Sequence, residues 1–258
     1  MEMEFMLTEG DLRIPCKVCE PVSGNIRRIV LGVHGIGGST DDAIQSAMAE
    51  EMGLFHSVTF RFDFPAHGKS PMQSDEFSLK ACKQALVTVA AEARRRYPEV
   101  EDLCIFASGF GAYVTLLTLD EILELPGKVK LVVQTPSVRM HDTLLTMLRR
   151  NRETFWAMDS LVLRAPRPLE LTYRFYEELE TNVAMNTCPI PMLILHGEED
   201  AYIRREDIDN FNRINEDAKL VIIPGTTHQF LEDGAWDMVL DLVRDWFMYE
   251  DVLLCDCE

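Results

Sequence analysis

The sequence predicts an α/β fold with a mostly parallel central sheet of about eight strands and helices on both faces. Short β-branched or apolar runs alternate with segments of helical periodicity along most of the chain, the pattern left by strands joined through crossover helices. The 258 residues fit one large domain with a sizeable core. Apolar residues make up 47% and charged residues 26%, as in an ordinary globule, and no repeat or low-complexity tract interrupts the alternation.

Each element has its own signal. "FMLTEGDLRIPCKVCEP" reads as a hairpin turning at Gly10. "RRIVLGVHG" (27–35) is the first strongly apolar strand, followed by a Gly-rich turn and a helix near 41–53. "HSVTFRFDF" (56–64) is the next strand and runs into the turn "PAHGKS". Residues 75–97 form an amphipathic helix: Phe77, Ala81, Ala85, Val89 and Ala93 keep four-residue spacing, with Leu86 and Ala90 beside them. Ser74 or Asp75 would cap its start, and Arg94–Arg96 fill its last turn. "LCIFASGFGAYVTLL" (103–117) supplies a strand, a tight turn and a helix reaching about residue 124. "VKLVVQTP" (129–136), "PMLILHG" (191–197) and "KLVIIPG" (219–225) complete the strands, and a helix from Gly234 to Met248 closes the series.

Residues 137–187 interrupt this order. They read as two or three helices and form a short helical lid, leaving 1–136 and 188–258 as the core of a single domain. An apolar helical excursion here would cover the carboxyl edge of the sheet, where open α/β sheets place their sites.

Bulk charge excludes several functions. A net charge of −18 argues against a nucleic-acid partner, which needs a basic footprint, and against an anionic membrane surface. The opening "MEMEFMLTEG" has no basic, then apolar, leader pattern, so a cytoplasmic location is expected. The seven cysteines do not form a disulfide framework. Cys82, Cys104 and Cys188 read as small buried hydrophobes. Cys16 with Cys19 and Cys255 with Cys257 could hold zinc only if the termini met. In a strand Cys16 and Cys19 face opposite sides, and CxC is an unusual half-site, so free thiols and no metal are expected.

Four features then fall at the carboxyl ends of strands. "HGIGGS" (34–39) has glycines, among them Gly35, that let the backbone approach a ligand and free the Ile36 N–H. The turn at Gly109 adds the N–H of Phe110; two such donors can stabilise an oxyanion. "HGEEDAYI" places Asp200 past one strand, and "GTTHQF" places His228 past the next. "FDFPAHGKS" makes Asp63, His67 and Ser70 turn residues rather than catalysts.

In order and spacing these segments resemble the α/β-hydrolase family, in its short-lid serine esterase, lysophospholipase and S33-peptidase-like branch, over essentially the whole chain. The resemblance implies a triad whose acid is Asp200 and whose base is His228. It also implies a serine at the centre of a small-x-nucleophile-x-small turn. Centred on Gly109, the flanks are Ala107 and Gly111; centred on Ser108, they are Phe106 and Phe110, which are too large. The nucleophile position therefore carries glycine. Three explanations stay open: an engineered inactivation, a natural pseudo-hydrolase, or a water activated directly by His228.

The expected function is hydrolysis of a small carboxylic ester without organic cofactor or metal, in a form lacking its nucleophile. The alternative is a non-catalytic pseudo-hydrolase that binds a small ligand or partner in the same pocket. Apolar residues of the insertion, such as Phe155 and Trp156, would meet an acyl or aryl group, and Arg139, Arg149, Arg150 and Arg152 make its first half basic. For most of the apolar residues, docking the insertion on the core is explanation enough.

Overall fold

The computed structural model describes residues 2–249. The hairpin of β1 (Glu2–Glu9) and β2 (Leu12–Cys19) turns at Gly10, which sits at φ 55°, and pairs antiparallel. Next along the chain come β3 (Arg28–Val33) and β4 (Ser57–Phe62), and β4 runs antiparallel to β2. From β4 onward the pairing is parallel, through β3, β5 (Asp102–Ser108), β6 (Lys128–Gln134), β9 (Met192–Gly197) and β10 (Lys219–Ile223). The main sheet thus has eight strands in the order β1-β2-β4-β3-β5-β6-β9-β10.

Two-residue periodicity divides the central strands between two cores, as a sheet buried on both faces requires. Ile29, Leu31, Leu103, Ile105, Leu131 and Val133 face one core; Val30, Cys104, Phe106 and Val132 face the other. The first core is closed by α2 (Leu79–Arg96) and α3 (Phe110–Leu123). The second is closed by α1 (Ala43–Leu54) and α8 (Ala235–Tyr249), through Met48, Met52, Val239 and Val243.

Two local expectations differ from the structure, and one helix has no counterpart among them. Residues Ser74–Glu76 form a separate 3₁₀ turn, and α2 starts only after Ser78, whose side chain accepts from the Ala81 N–H. The polar segment Arg205–Ile214 is a helix, α7, which buries Ile208 and Phe211. The insertion between β6 and β9 is not wholly helical: α4 (Met140–Leu148), α5 (Arg152–Met158) and α6 (Tyr173–Thr181) are interrupted by a hairpin, β7 (Ser160–Leu163) and β8 (Leu169–Thr172). Arg167, at the hairpin turn, donates to the carbonyls of Ser70 and Met72 and so ties the insertion to the loop after β4.

No described helix is long and apolar enough to cross a membrane. Among the described residues no group of three or more His, Cys, Asp or Glu side chains could hold a metal ion. Cys255 and Cys257 lie outside the described residues. Cys82 and Cys104 are buried, whereas Cys188 is only partly so. Burial pushes the Cys16 thiol up to about 12, so it keeps its proton at neutral pH.

Candidate active site

The chain passes from β5 into α3 through Gly109, at φ 50° and ψ −112°. An L side chain adopts this conformation only under strain, whereas glycine adopts it freely. The turn is tight because α3 lies against the end of β3: a Cβ on Gly111 would come within 2.4 Å of the His34 carbonyl oxygen and 2.7 Å of the Val33 carbonyl oxygen. Ala107, the other flank, is fully buried. Gly109 itself is roomier. A Cβ there would stand 3.7 Å from His228 Nε2, 3.9 Å from Gly35 Cα and 4.0 Å from Ser137 Oγ.

His228 follows β10, and its Nδ1 donates to Asp200 Oδ2 at 2.8 Å. Asp200 follows β9, and its other oxygen accepts from the N–H groups of Tyr202 (2.8 Å) and Ile203 (3.0 Å). Its side chain has no exposed surface. Burial alone would raise the Asp200 carboxyl, but the hydrogen bond and charge of His228, with the two N–H donors, outweigh it and hold the carboxyl below its ordinary value. The opposite nitrogen of the imidazole, Nε2, faces the Gly109 turn. The Tyr202 ring stands edge-on to His228, with ring centroids 5.2 Å apart.

Gly35 and Ile36 lie just past β3. His34 braces this loop: its Nδ1 is 2.7 Å from the Gly35 carbonyl oxygen and its Nε2 accepts from the Phe64 N–H at 3.1 Å. Gly38 N–H closes the turn on the Gly35 oxygen at 3.0 Å, and the Ile36 N–H makes no hydrogen bond within it. Phe110 is the first residue of α3, so its N–H has no acceptor inside the helix. Gly37 at φ 76° packs under the insertion hairpin, where a Cβ would reach 2.9 Å from Ala165 Cβ. Asp63, by contrast, accepts from the N–H groups of Thr40 and Lys69, both at 2.7 Å, and acts as a brace between loops.

All the residues anticipated for the site, Gly35, Ile36, Gly109, Phe110, Asp200 and His228, come from the carboxyl ends of β3, β5, β9 and β10. Ser108 does not replace Gly109, because its hydroxyl bonds Gln134 Oε1 at 3.2 Å on β6. Two neighbours were not anticipated. His196, on β9, is buried with Nδ1 3.8 Å from Asp200 Oδ2, and burial lowers its pKa despite the pull of that carboxylate. Ser137 follows β6, and its place past a strand end was the available signal.

No protein-family model matches this sequence, and no curated protein matches it. Solved structures do. Est1E from Butyrivibrio proteoclasticus with ferulic acid bound is 19% identical, with a TM-score of 0.81 over 96% of this chain and 99% of that one. Mouse alpha/beta hydrolase domain-containing protein 10 is 15% identical, with a TM-score of 0.74 over 97% and 99%. A soluble variant of monoglyceride lipase from Saccharomyces cerevisiae is 14% identical, with a TM-score of 0.73 over 95% and 94%. In strand order, connection and the turn at Gly109, the chain has the α/β-hydrolase fold.

Proposed function

We propose that the protein is built as a carboxylic-ester hydrolase whose attacking side chain is absent at Gly109. The observation that carries this is the placement of His228 Nε2, 3.7 Å from where a Cβ of residue 109 would stand. A serine there would bring its Oγ within hydrogen-bond reach of that nitrogen.

In the complete reaction the hydroxyl oxygen of a serine replacing Gly109 attacks the ester carbonyl as Nε2 takes its proton. Asp200 holds the imidazole with Nδ1 protonated and stabilises the imidazolium that forms. The N–H groups of Ile36 and Phe110 receive the oxyanion. The bond from carbon to the alcohol oxygen then breaks as Nε2 gives that oxygen its proton, and a water deprotonated by Nε2 cleaves the acyl-serine to the free acid and serine. The insertion acts as a lid, tethered by Arg167 and resting on Gly37. Neighbours that bind ferulic acid or are named monoglyceride lipase support a small ester or carboxylic acid as the ligand class.

The test is the initial rate of short-chain aryl ester hydrolysis by this chain and by Gly109→Ser. A gain of about 10³-fold or more in the variant is expected, because restoring the missing triad member recovers most of what a triad contributes. The glycine itself favours a second reading, a ligand-binding protein with no turnover. Retention of an acyl ligand by both forms, with no hydrolysis by either, is the result that reading requires.

A further inference from the structure

Beyond β6 the chain doubles back over the Gly109 turn. Thr135 takes a positive φ of 43° and its N–H bonds the Leu195 carbonyl at 2.7 Å. Ser137 follows, with its N–H 3.4 Å from the Gly109 carbonyl oxygen. The residue is only 2% exposed. Its hydroxyl has no hydrogen-bond partner among the described residues and is not sealed from solvent, so a water can reach it. The hydroxyl points toward the site: Ser137 Oγ and His228 Nε2 lie 4.0 Å and 3.7 Å from one point, the Cβ position over Gly109.

We infer that Ser137 holds a hydrolytic water against His228, so that the chain cleaves esters slowly by direct attack of water, without an acyl-enzyme. This rests on the ester-hydrolase reading and names the oxygen that replaces the missing serine. A water between the two groups donates one proton toward Nε2 and the other to Ser137 Oγ, which leaves a lone pair facing the carbonyl carbon. Its oxygen bonds that carbon as Nε2 takes the first proton. The oxyanion is received by the Ile36 and Phe110 N–H groups. The bond from carbon to the alcohol oxygen then breaks, and Nε2 returns the proton to the departing alkoxide, giving one carboxylic acid and one alcohol. Ser137 forms no covalent bond, because His228 Nε2 makes no direct hydrogen bond to its hydroxyl and so does not activate it.

The experiment compares p-nitrophenyl acetate hydrolysis by the wild-type chain, Ser137→Ala, Ser137→Thr and Gly109→Ser, with thermal midpoints for all four. Intact mass is recorded after exposure to an aryl fluorophosphonate. The wild type should turn over slowly. Ser137→Ala should lose about tenfold in kcat with KM little changed, and Ser137→Thr, which keeps the hydroxyl, should recover most of that loss. The wild type should take up no phosphonyl group.

A kcat for a folded Ser137→Ala equal to wild type would overturn the inference. So would a phosphonyl adduct on Ser137, which would make it the nucleophile. If Gly109→Ser is active but the wild type is inert, the water step is wrong and the hydrolase reading stands. If Gly109→Ser is inert as well, the hydrolase reading fails and takes this inference with it.

Discussion

Asp200 Oδ2 lies 2.8 Å from His228 Nδ1, and the carboxylate that makes this bond has no solvent-exposed surface. A buried carboxylate in this position fixes one imidazole tautomer, the one whose Nε2 is free to take a proton at the Gly109 turn. In the Gly109→Ser protein, Asp200→Asn should therefore lower kcat by about 10³- to 10⁴-fold, since the amide can favour the wrong tautomer. KM should change little. Steady-state kinetics of the single and double variants check this, and a loss below about tenfold would mean that Asp200 is structural rather than part of a triad.

The two glycines of the turn should respond very differently to alanine. Gly109 has open space for a Cβ but a strained φ, so Gly109→Ala should cost about 1–2 kcal/mol, from backbone strain alone. A Cβ on Gly111 would press on two backbone carbonyls that cannot rotate away, the nearer at 2.4 Å, so Gly111→Ala should cost about 3 kcal/mol or more. Urea unfolding of both variants measures the difference, and equal losses would refute the steric account of the small flanks.

His67 makes stability depend on pH. Its Nδ1 is 2.9 Å from the Pro65 carbonyl oxygen, and its ring packs against His34 and Phe77. Burial first, and then the neighbouring His34, push its pKa down to about 3 from the ordinary 6.5. Between those values the unfolded chain takes up a proton that the folded chain excludes. Stability from this site is therefore full above pH 6.5 and is lost as pH falls toward 3. His67→Phe removes the titrating group while keeping an aromatic ring in the cluster, so its acid-unfolding midpoint should lie at lower pH than wild type. An unchanged midpoint would show that other groups control acid unfolding.

What escaped the sequence has physical reasons. β7 and β8 are four residues each, too short for a two-residue period to stand out beside the helical pattern of "TFWAM", although "RAPRP" between them is a turn signal. α7 carries few apolar residues, so no helical period stands out in its sequence, and the core that Ile208 and Phe211 enter is what makes it a helix. α2 starts later than the periodicity over 75–97 predicts, because Ser78 is as acceptable a cap as Ser74 and only the backbone path chooses between them.

The sequence alone determined the alternation of strand and helix, the glycine at the tight turn after β5, and the order of that turn, Asp200 and His228 along the chain. These are local properties, set by side-chain period and by the φ angles that glycine permits. The structure decided what distance along the chain conceals. It aimed Nε2 at residue 109, turned Ser108 away toward Gln134, and brought the hydroxyl of Ser137 to the same point from the end of β6, because parallel pairing of β5, β6 and β9 carries remote strand ends to one edge of one sheet.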